Sequence, residues 1–393
     1  MREMKNSGVE WIGEIPKEWN LIKFKYVHNG SNVGVAIDKK FWTNNDADKI
    51  FYTAQILPIR TNYTNFPSCK YTKGHDLLLA RNATPYVYLP VEGAIYTDHI
   101  IRVTISNRFN RRFIRYCLQN SIITEVLEGV SIPTWSVYIW DRQILPLPPL
   151  AEQTAIASYL DKKCSNIDAI ITKNEQIIEK LKEYKSSLIS ETVTKALSPD
   201  VKMKYIATIN PACKIPNISQ DDNVTFVPME CVRNNKRLPK AAPLKKNNSS
   251  YSIFNDGDIA LAKVTPCFQN GNLCIMENLL NGFAFGSSEL FNIRPIRINT
   301  KFLLYFLMTK DFISGGIASM TGVAGLQRVS INYLRNVRLP YPPLTEQTAI
   351  AAYLDKKCSI IDANIARREL INAKLAEYKK SLIYEVVTGK KEV

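Results

Sequence analysis

A chain of 393 residues with 46% hydrophobic and 22% charged residues is long enough for two or three domains with cores of their own, which excludes a wholly disordered polymer. No apolar run reaches the roughly 20 residues of a membrane span, and the opening MREMKNSGVEW lacks the apolar centre of a secretory signal. No membrane partner is expected, and the expected location is the cytoplasm. Lys and Arg outnumber Asp and Glu 51 to 36, for a net charge of +15. Such an excess suits a polyanion, nucleic acid above all, or else a basic protein that binds none. The eight cysteines form no CxxC pair and the three histidines are scattered, so reduced thiols and no metal site are expected.

In chain order, residues 1–145 read as a mixed α/β globule. KFKYV, Lys23 to Val27, opens it. Gly74 to Arg81 and Ala94 to Ser106 are β-rich, and Phe109 to Glu128 is predicted to be a helix packed on that sheet. Pro146, Pro148 and Pro149 then hold the chain extended. Residues 146–196 form the first long helical region, with no Gly or Pro from Glu152 until Pro199. Its apolar positions Ile156, Leu160, Ile167, Ile171, Ile178, Leu181, Tyr184 and Leu188 recur at helical spacing. Residues 197–339 are a second mixed α/β globule, opened by KMKYI at Lys202 to Ile206. Asp258 to Val264 is predicted as a strand and Thr300 to Ser314 as a helix. Residues 340–393 are the second long helix, with Ile350, Leu354, Ile361, Ile365, Ile371, Leu375, Tyr378 and Leu382 on its stripe and Gly389 closing it.

The chain is thus written twice. Pro146 to Ala196 and Pro340 to Lys390 align without gaps at an offset of 194, with 34 of 51 positions identical. The globules echo each other more faintly. Gly74 to Arg81 matches Gly257 to Lys263, Thr84-Pro85 matches Thr265-Pro266, and Gly129 to Trp135 matches Gly322 to Arg328. Each helix would run roughly 65 Å, and the partner that suits its stripe is the other copy. The expectation is an antiparallel coiled coil and a pseudo-twofold internal repeat. Asn174 and Arg368 interrupt matching seams, either to fix register or as solvated kinks. The charge sits in the globules: residues 1–145 carry +5 and residues 196–344 carry +8, while the first helix is neutral. Basic heads on balanced helices suggest two anion-binding sites at a set separation.

These residues resemble the specificity subunit of Type I restriction-modification systems over nearly the whole chain. The PPLxEQxAIAxYLD opening, here Pro148 to Asp161 and Pro342 to Asp355, is the most specific string. Ala262 to Gly271, Phe285 to Glu289, Gln327 to Val329 and Trp11 to Pro16 are similar to that family as well. The resemblance implies two target-recognition domains alternating with two conserved helices. It implies that the chain binds an asymmetric bipartite double-stranded DNA target, one half-site per globule. The helices would set the gap and dock two methyltransferase subunits, and restriction and motor subunits would join them. S-adenosylmethionine, ATP and magnesium would reside on those partners, with no cofactor and no catalysis in this chain. The residues agree: neither Pro-Pro pair sits in an [Asp/Asn]-Pro-Pro-[Tyr/Phe] motif, and there is no phosphate-binding Gly-rich loop. Asp256, Asp258 and Lys263 assemble a nuclease cluster only on paper.

Phosphate contacts supply affinity and base contacts supply specificity. In the second globule the candidates for DNA contact are Lys263, Thr265, Gln269, Asn270, Ser287, Ser288, Gln327 and Arg328. Gln and Asn match an adenine edge and Arg or Lys a guanine edge. Glu289 reads as a structural hydrogen-bond partner. In the first globule, Arg81, Asn82, Thr84 and Tyr86 replace the Lys263 loop, Thr134 and Trp135 stand opposite Gln327 and Arg328, and Thr97-Asp98-His99 stands opposite Gly286-Ser287-Ser288. His99 is expected to bond within the fold, and Trp135 either touches DNA or lies in the core. Near-identical helices beside divergent loops suggest one docking geometry used twice and two different half-sites.

Overall fold

The run Asp76-Leu-Leu-Leu-Ala80 is apolar throughout and so specifies a strand covered on both faces. In the computed structural model of the chain all five residues are buried. Leu77 and Leu79 point into one core, Leu78 and Ala80 into another, as the alternation of a pleated strand requires. Ile259–Ala262 repeats the arrangement, with Ile259 and Leu261 in one core and Ala260 and Ala262 in a second. The structure describes residues 2–82, 85–123, 134–196, 198–212, 223–233, 236–237, 241–243, 251–322 and 327–393. They divide into two units, residues 1–173 with 371–393, and residues 174–370.

Both units carry a four-stranded antiparallel sheet of corresponding order. In the first, strands His28–Val33, Ile100–Ile105, Asp76–Ala80 and Val87–Tyr88 lie in that order, all antiparallel. In the second, the order is Ala207–Ile209, Leu290–Pro295, Ile259–Ala262 and Leu273–Ile275. A second four-stranded sheet in each unit contains one parallel pair, Ile95–Tyr96 with Lys49–Tyr52 and Phe283–Gly286 with Asn223–Val227. A two-stranded ribbon closes each base, Asn20–Lys23 with Ile144–Leu147 and Asp200–Lys202 with Arg338–Pro340. The mixed α/β reading therefore holds for each half.

Helix α1 (Arg111–Ile123) buries Phe113, Ile114, Cys117 and Leu118 against the first sheet. Its expected extension to Glu128 lies outside the described residues. The short α2 (Val137–Asp141) buries Trp140 and precedes the ribbon strand Ile144–Leu147. In the second unit the single helix expected over Thr300 to Ser314 is two, α4 (Thr300–Leu307) and α5 (Lys310–Ala318). The break falls where the Thr309 hydroxyl accepts from the Phe312 N–H and caps a new helix. After α6 (Ile331–Asn336) the chain forms Arg338–Pro340 and enters its last helix.

The long helices are α3 (Leu150–Thr194) and α7 (Leu344–Val387). Each is divided between the two units. In the first unit Ile156, Leu160, Cys164 and Ile167 of α3 share a core with Leu382, Val386 and Val387 of α7. Asp168 pairs with Lys379 there at 2.6 Å. In the second unit Ile189 and Val193 share a core with Leu354 and Cys358, and Lys185 pairs with Asp362 at 2.7 Å. Residue numbers rise along one helix as they fall along the other, so within each unit the segments run antiparallel. From Leu160 to Leu181 the positions of α3 turned from solvent include 160, 164, 167, 171, 174, 178 and 181, in alternating steps of four and three, and beyond them Ile189 and Val193 are the buried residues. That 3.5-residue period is the coiled-coil pattern expected. Tyr184 and Tyr378, placed on the stripe by sequence, are instead 57% and 51% exposed. Lys185 and Lys379 take the seam because their stems pack while their ammonium groups reach a carboxylate. Asn174 accepts a hydrogen bond from Arg368 Nη1 at 2.8 Å and is 8% exposed, so the interruption of the seam is a paired one.

Candidate nucleic-acid interface

The helix motif has an internal job that its sequence did not disclose. Gln153 is 2% exposed. Its Oε1 accepts from the Asn110 N–H at 2.9 Å and its Nε2 donates to the Pro148 carbonyl at 2.9 Å. Gln347 does the same with Asn299 and Pro342, both at 2.8 Å. Asp161 accepts from Tyr116 Oη at 2.8 Å and from Arg112 at 2.7 Å. Asp355 accepts from Tyr305 and Lys301, both at 2.7 Å. Burial first, and then the carboxylate it bonds, push both tyrosine hydroxyls well above their ordinary pKa. The Gln and Asp of the motif thus lock each long helix to the globule of its own unit.

In the second unit the candidate residues converge. Lys263 follows one strand, Glu289 precedes the next, and Arg328 crosses beside both. The Lys263 N–H donates to the Glu289 carbonyl, and the Val329 N–H donates to the Lys263 carbonyl, each at 2.9 Å. Arg328 exchanges backbone hydrogen bonds with Thr321 at 2.9 and 3.0 Å. Thr265 donates its N–H to the Gln327 carbonyl and accepts the Gln327 N–H on its hydroxyl, both at 3.1 Å. On this frame Arg328 donates from Nε and Nη2 to the two oxygens of Glu289 at 3.0 and 2.8 Å. The Arg328 hydrogen bond, ahead of the remaining charges, holds the Glu289 carboxyl below its ordinary pKa, and Glu289 raises that of Arg328. Burial lowers the Lys263 ammonium, which donates to the Ser288 carbonyl at 2.7 Å and lies over the Phe291 ring.

Gln269 and Asn270 are exposed on the turn that follows Thr265, and buried Phe268 pins that turn. A Cβ at Gly316 would come within 2.2 Å of the Phe268 ring, so the pinning contact depends on a glycine there. Ser288 is exposed, whereas the Ser287 hydroxyl accepts from the Glu289 N–H at 3.2 Å and serves the loop itself. Val323 to Leu326 lie outside the described residues. Asp258 is buried and forked by Arg294 at 2.7 Å, so the paper nuclease cluster resolves into a structural ion pair.

The first unit builds the same frame with other side chains. The Arg81 N–H donates to the His99 carbonyl at 2.9 Å, and the Trp135 N–H to the Arg81 carbonyl at 2.6 Å. Asn82 bridges Thr134 as Val264 bridges Arg328. Arg81 therefore stands for Lys263, His99 for Glu289, Thr134 for Arg328 and Trp135 for Val329. Two sequence correspondences shift by one residue. Trp135 is 3% exposed because it replaces buried Val329, not Arg328, and its side chain belongs to the core. His99 is exposed, and it is its carbonyl that bonds within the fold. Arg81 and Thr134 are exposed and Asn82 is half-buried, while Tyr86 is half-buried with its ring 4.7 Å from Tyr88. Thr84 lies outside the described residues. Sequence reasoning expected Glu289 to be a structural hydrogen-bond partner but did not name Arg328, and it misplaced His99 by one residue. The signal was available in the strands Ile100–Ile105 and Leu290–Pro295, which align at a constant offset one residue away from the one assumed.

No described helix is long and apolar enough to cross a membrane, and no cluster of metal-ligating side chains occurs among the described residues.

Comparison with known proteins agrees with this duplicated frame. The family model for the Type I restriction modification DNA specificity domain matches twice, at residues 16–183 and 200–373. The EcoEI specificity subunit of Escherichia coli is 35% identical over 170 residues, covering 41% of this chain and 28% of its own. The EcoAI specificity subunit from the same organism is 36% identical over 162 residues, 40% of this chain and 27% of its own. The match thus spans less than a third of the length of these two relatives. A solved chain from a type I R-M system covers 96% of this chain and 99% of its own with a TM-score of 0.71 at 15% identity. The HsdS subunit from Thermoanaerobacter tengcongensis covers 96% and 98% with a TM-score of 0.51 at 16% identity. These two likenesses establish the fold. With two matched domains that repeat one frame and together take in most of the sequence, the chain belongs to the Type I restriction modification DNA specificity family.

Proposed function

We propose that this chain is the DNA-specificity subunit of a Type I restriction-modification complex and performs no catalysis itself. Each unit would read one half of an asymmetric bipartite duplex target. The observation that carries this reading is the pairing of a constant backbone frame with different side chains, Arg81, His99 and Thr134 in one unit against Lys263, Glu289 and Arg328 in the other. A frame kept for stability alone has no need of exposed, divergent polar groups at its rim. Phosphate attraction from the basic globules supports affinity, and exposed Gln269, Asn270 and Gln327 are suited to base edges.

The long helices would set the gap between half-sites and dock two methyltransferase subunits, with restriction and motor subunits joining that core in the cytoplasm. S-adenosylmethionine, ATP and magnesium would act on those partners. The test is to coexpress the chain with its methyltransferase subunit and map methylated adenines across the host genome. A split motif with a constant gap is the expected result. Copurification without methylation at a split motif would overturn the reading and leave a protein scaffold in its place.

A further inference from the structure

The Lys263, Glu289 and Arg328 cluster permits a more specific step, which rests on the reading that this rim meets DNA. We propose that Glu289 is a positioning residue that aims Arg328 at a guanine, so that the half-site read by the second unit contains a G·C pair recognised by this one side chain.

The geometry supplies the argument. The side chains of Arg328 and Glu289 are 49% and 34% exposed. A free arginine at that exposure samples many rotamers and gives up that freedom on binding. Here the guanidinium is gripped along one edge, Nε and Nη2, by both carboxylate oxygens. The grip fixes the plane of the group and leaves its far edge, with one N–H from each terminal nitrogen, unused by Glu289. Two parallel donors at that spacing match the O6 and N7 acceptors of guanine, and no other base offers two acceptors side by side in the major groove. Both residues also leave from held backbone, Arg328 through Thr321 and Glu289 through Lys263 and Ser287.

A role in phosphate binding does not explain the carboxylate. Placing Glu289 against Arg328 cancels local positive charge, which weakens attraction to a polyanion. The arrangement makes sense where direction matters more than charge. In the first unit Thr134 and His99 occupy the corresponding places, so no such fork exists there and its half-site is read by other means.

The complex with its methyltransferase subunit is used to select from a library of randomised duplexes, and the bound DNA is sequenced. The wild type is expected to retain a guanine at one position of one half-site. Arg328→Ala abolishes that preference and leaves the other half-site intact, which also shows that the variant is folded. Arg328→Lys, a point charge without the planar fork, keeps affinity and loses the preference. Glu289→Ala lowers discrimination at the same position by roughly tenfold or more, with affinity for random duplex unchanged or higher because a negative charge is gone. Glu289→Gln, of the same shape, falls between. If Arg328→Ala relaxes one base pair while Glu289→Ala does not, the positioning role is wrong. If Arg328→Ala weakens all sequences alike, Arg328 is a phosphate contact and the proposal fails while DNA recognition stands. If the wild-type complex enriches no sequence, the reading of this rim as a DNA interface itself fails.

Discussion

Two buried glutamines, Gln153 and Gln347, each close a backbone donor and a backbone acceptor at the foot of a long helix. Removing either strands two polar groups away from water, at about 1–3 kcal/mol for each group. Gln153→Ala and Gln347→Ala should each lower the unfolding free energy by about 2 kcal/mol or more, measured by urea titration. Glu346→Ala, next to Gln347 but exposed, should shift the midpoint hardly at all. The Arg328–Glu289 fork makes a pH prediction. Because the Glu289 carboxyl is held below its ordinary value, its charge persists above that lowered pKa and is lost only as the pH falls through it. Base discrimination by the second unit should therefore be flat from neutral pH down to about pH 5, where ordinary carboxylates, near 4.3, still keep their charge. A loss of discrimination between pH 7 and 6 would point to a histidine instead. At this scale the sequence was a partial guide. It named Lys263, Gln327 and Arg328, whose residue types announce their chemistry. It misplaced Trp135 by one position because the match was anchored on Gly129 and Gly322, whereas strand pairing sets the correspondence through Arg81 and Lys263.

The long helices were the most legible elements, since a seven-residue rhythm over six turns or more has no competing interpretation. The error at Tyr184 is instructive. An aromatic three residues after Leu181 satisfies a hydrophobicity rule, but a two-stranded seam continues with a step of four, to Lys185. A lysine passes for a solvent residue until a partner such as Asp362 is known. The ion pairs Asp168–Lys379 and Lys185–Asp362 are one pair written twice, since 168 and 362, and 185 and 379, are equivalent positions of the repeat. Swapping charges at Lys185 and Asp362 together should restore the stability that either change alone removes, with each single variant costing up to about 1 kcal/mol. Asn174 and Arg368 should act through register. Replacing both with leucine is expected to stabilise the pair while broadening the set of helix alignments seen by cysteine cross-linking. Inserting one heptad at matched places in both helices keeps the seam in phase. The mapped methylation motif should then change its gap length and keep both half-sites, and altered half-site bases would refute the role of the helices as a spacer.

At the scale of the whole molecule, the charge is carried by the globules, yet three arginines of the first are held by bonds within it. Arg102 donates to the Cys69 and Tyr71 carbonyls, Arg111 to Asp76 and Arg115 to Val87. Net charge alone thus overstated the cation available to a polyanion there. Binding to a duplex should still weaken along a straight line in log salt, and its slope should fall by about one for each phosphate-contacting Lys or Arg removed. The duplication was plain from the sequence because helices keep their identity under a shared packing constraint. The correspondence of the globules was faint because the frame is made of backbone hydrogen bonds, which tolerate almost any side chain.

The division of the chain between the units sets an order of events at the ribosome. Residues 174–370 are contiguous, whereas the first unit needs residues 371–393 to complete its core, with Leu382, Val386 and Val387 packed beside Ile12, Ile15 and Trp19. Lys390 and Tyr384 both donate to the carbonyl of Ile12, at 3.0 and 3.2 Å. The unit whose sequence emerges first can close only once residues 371–393 join it, while residues 174–370 need no later segment. Nascent chains stalled shortly after residue 370 clears the exit tunnel should show protease protection in the second unit and none in residues 12–27.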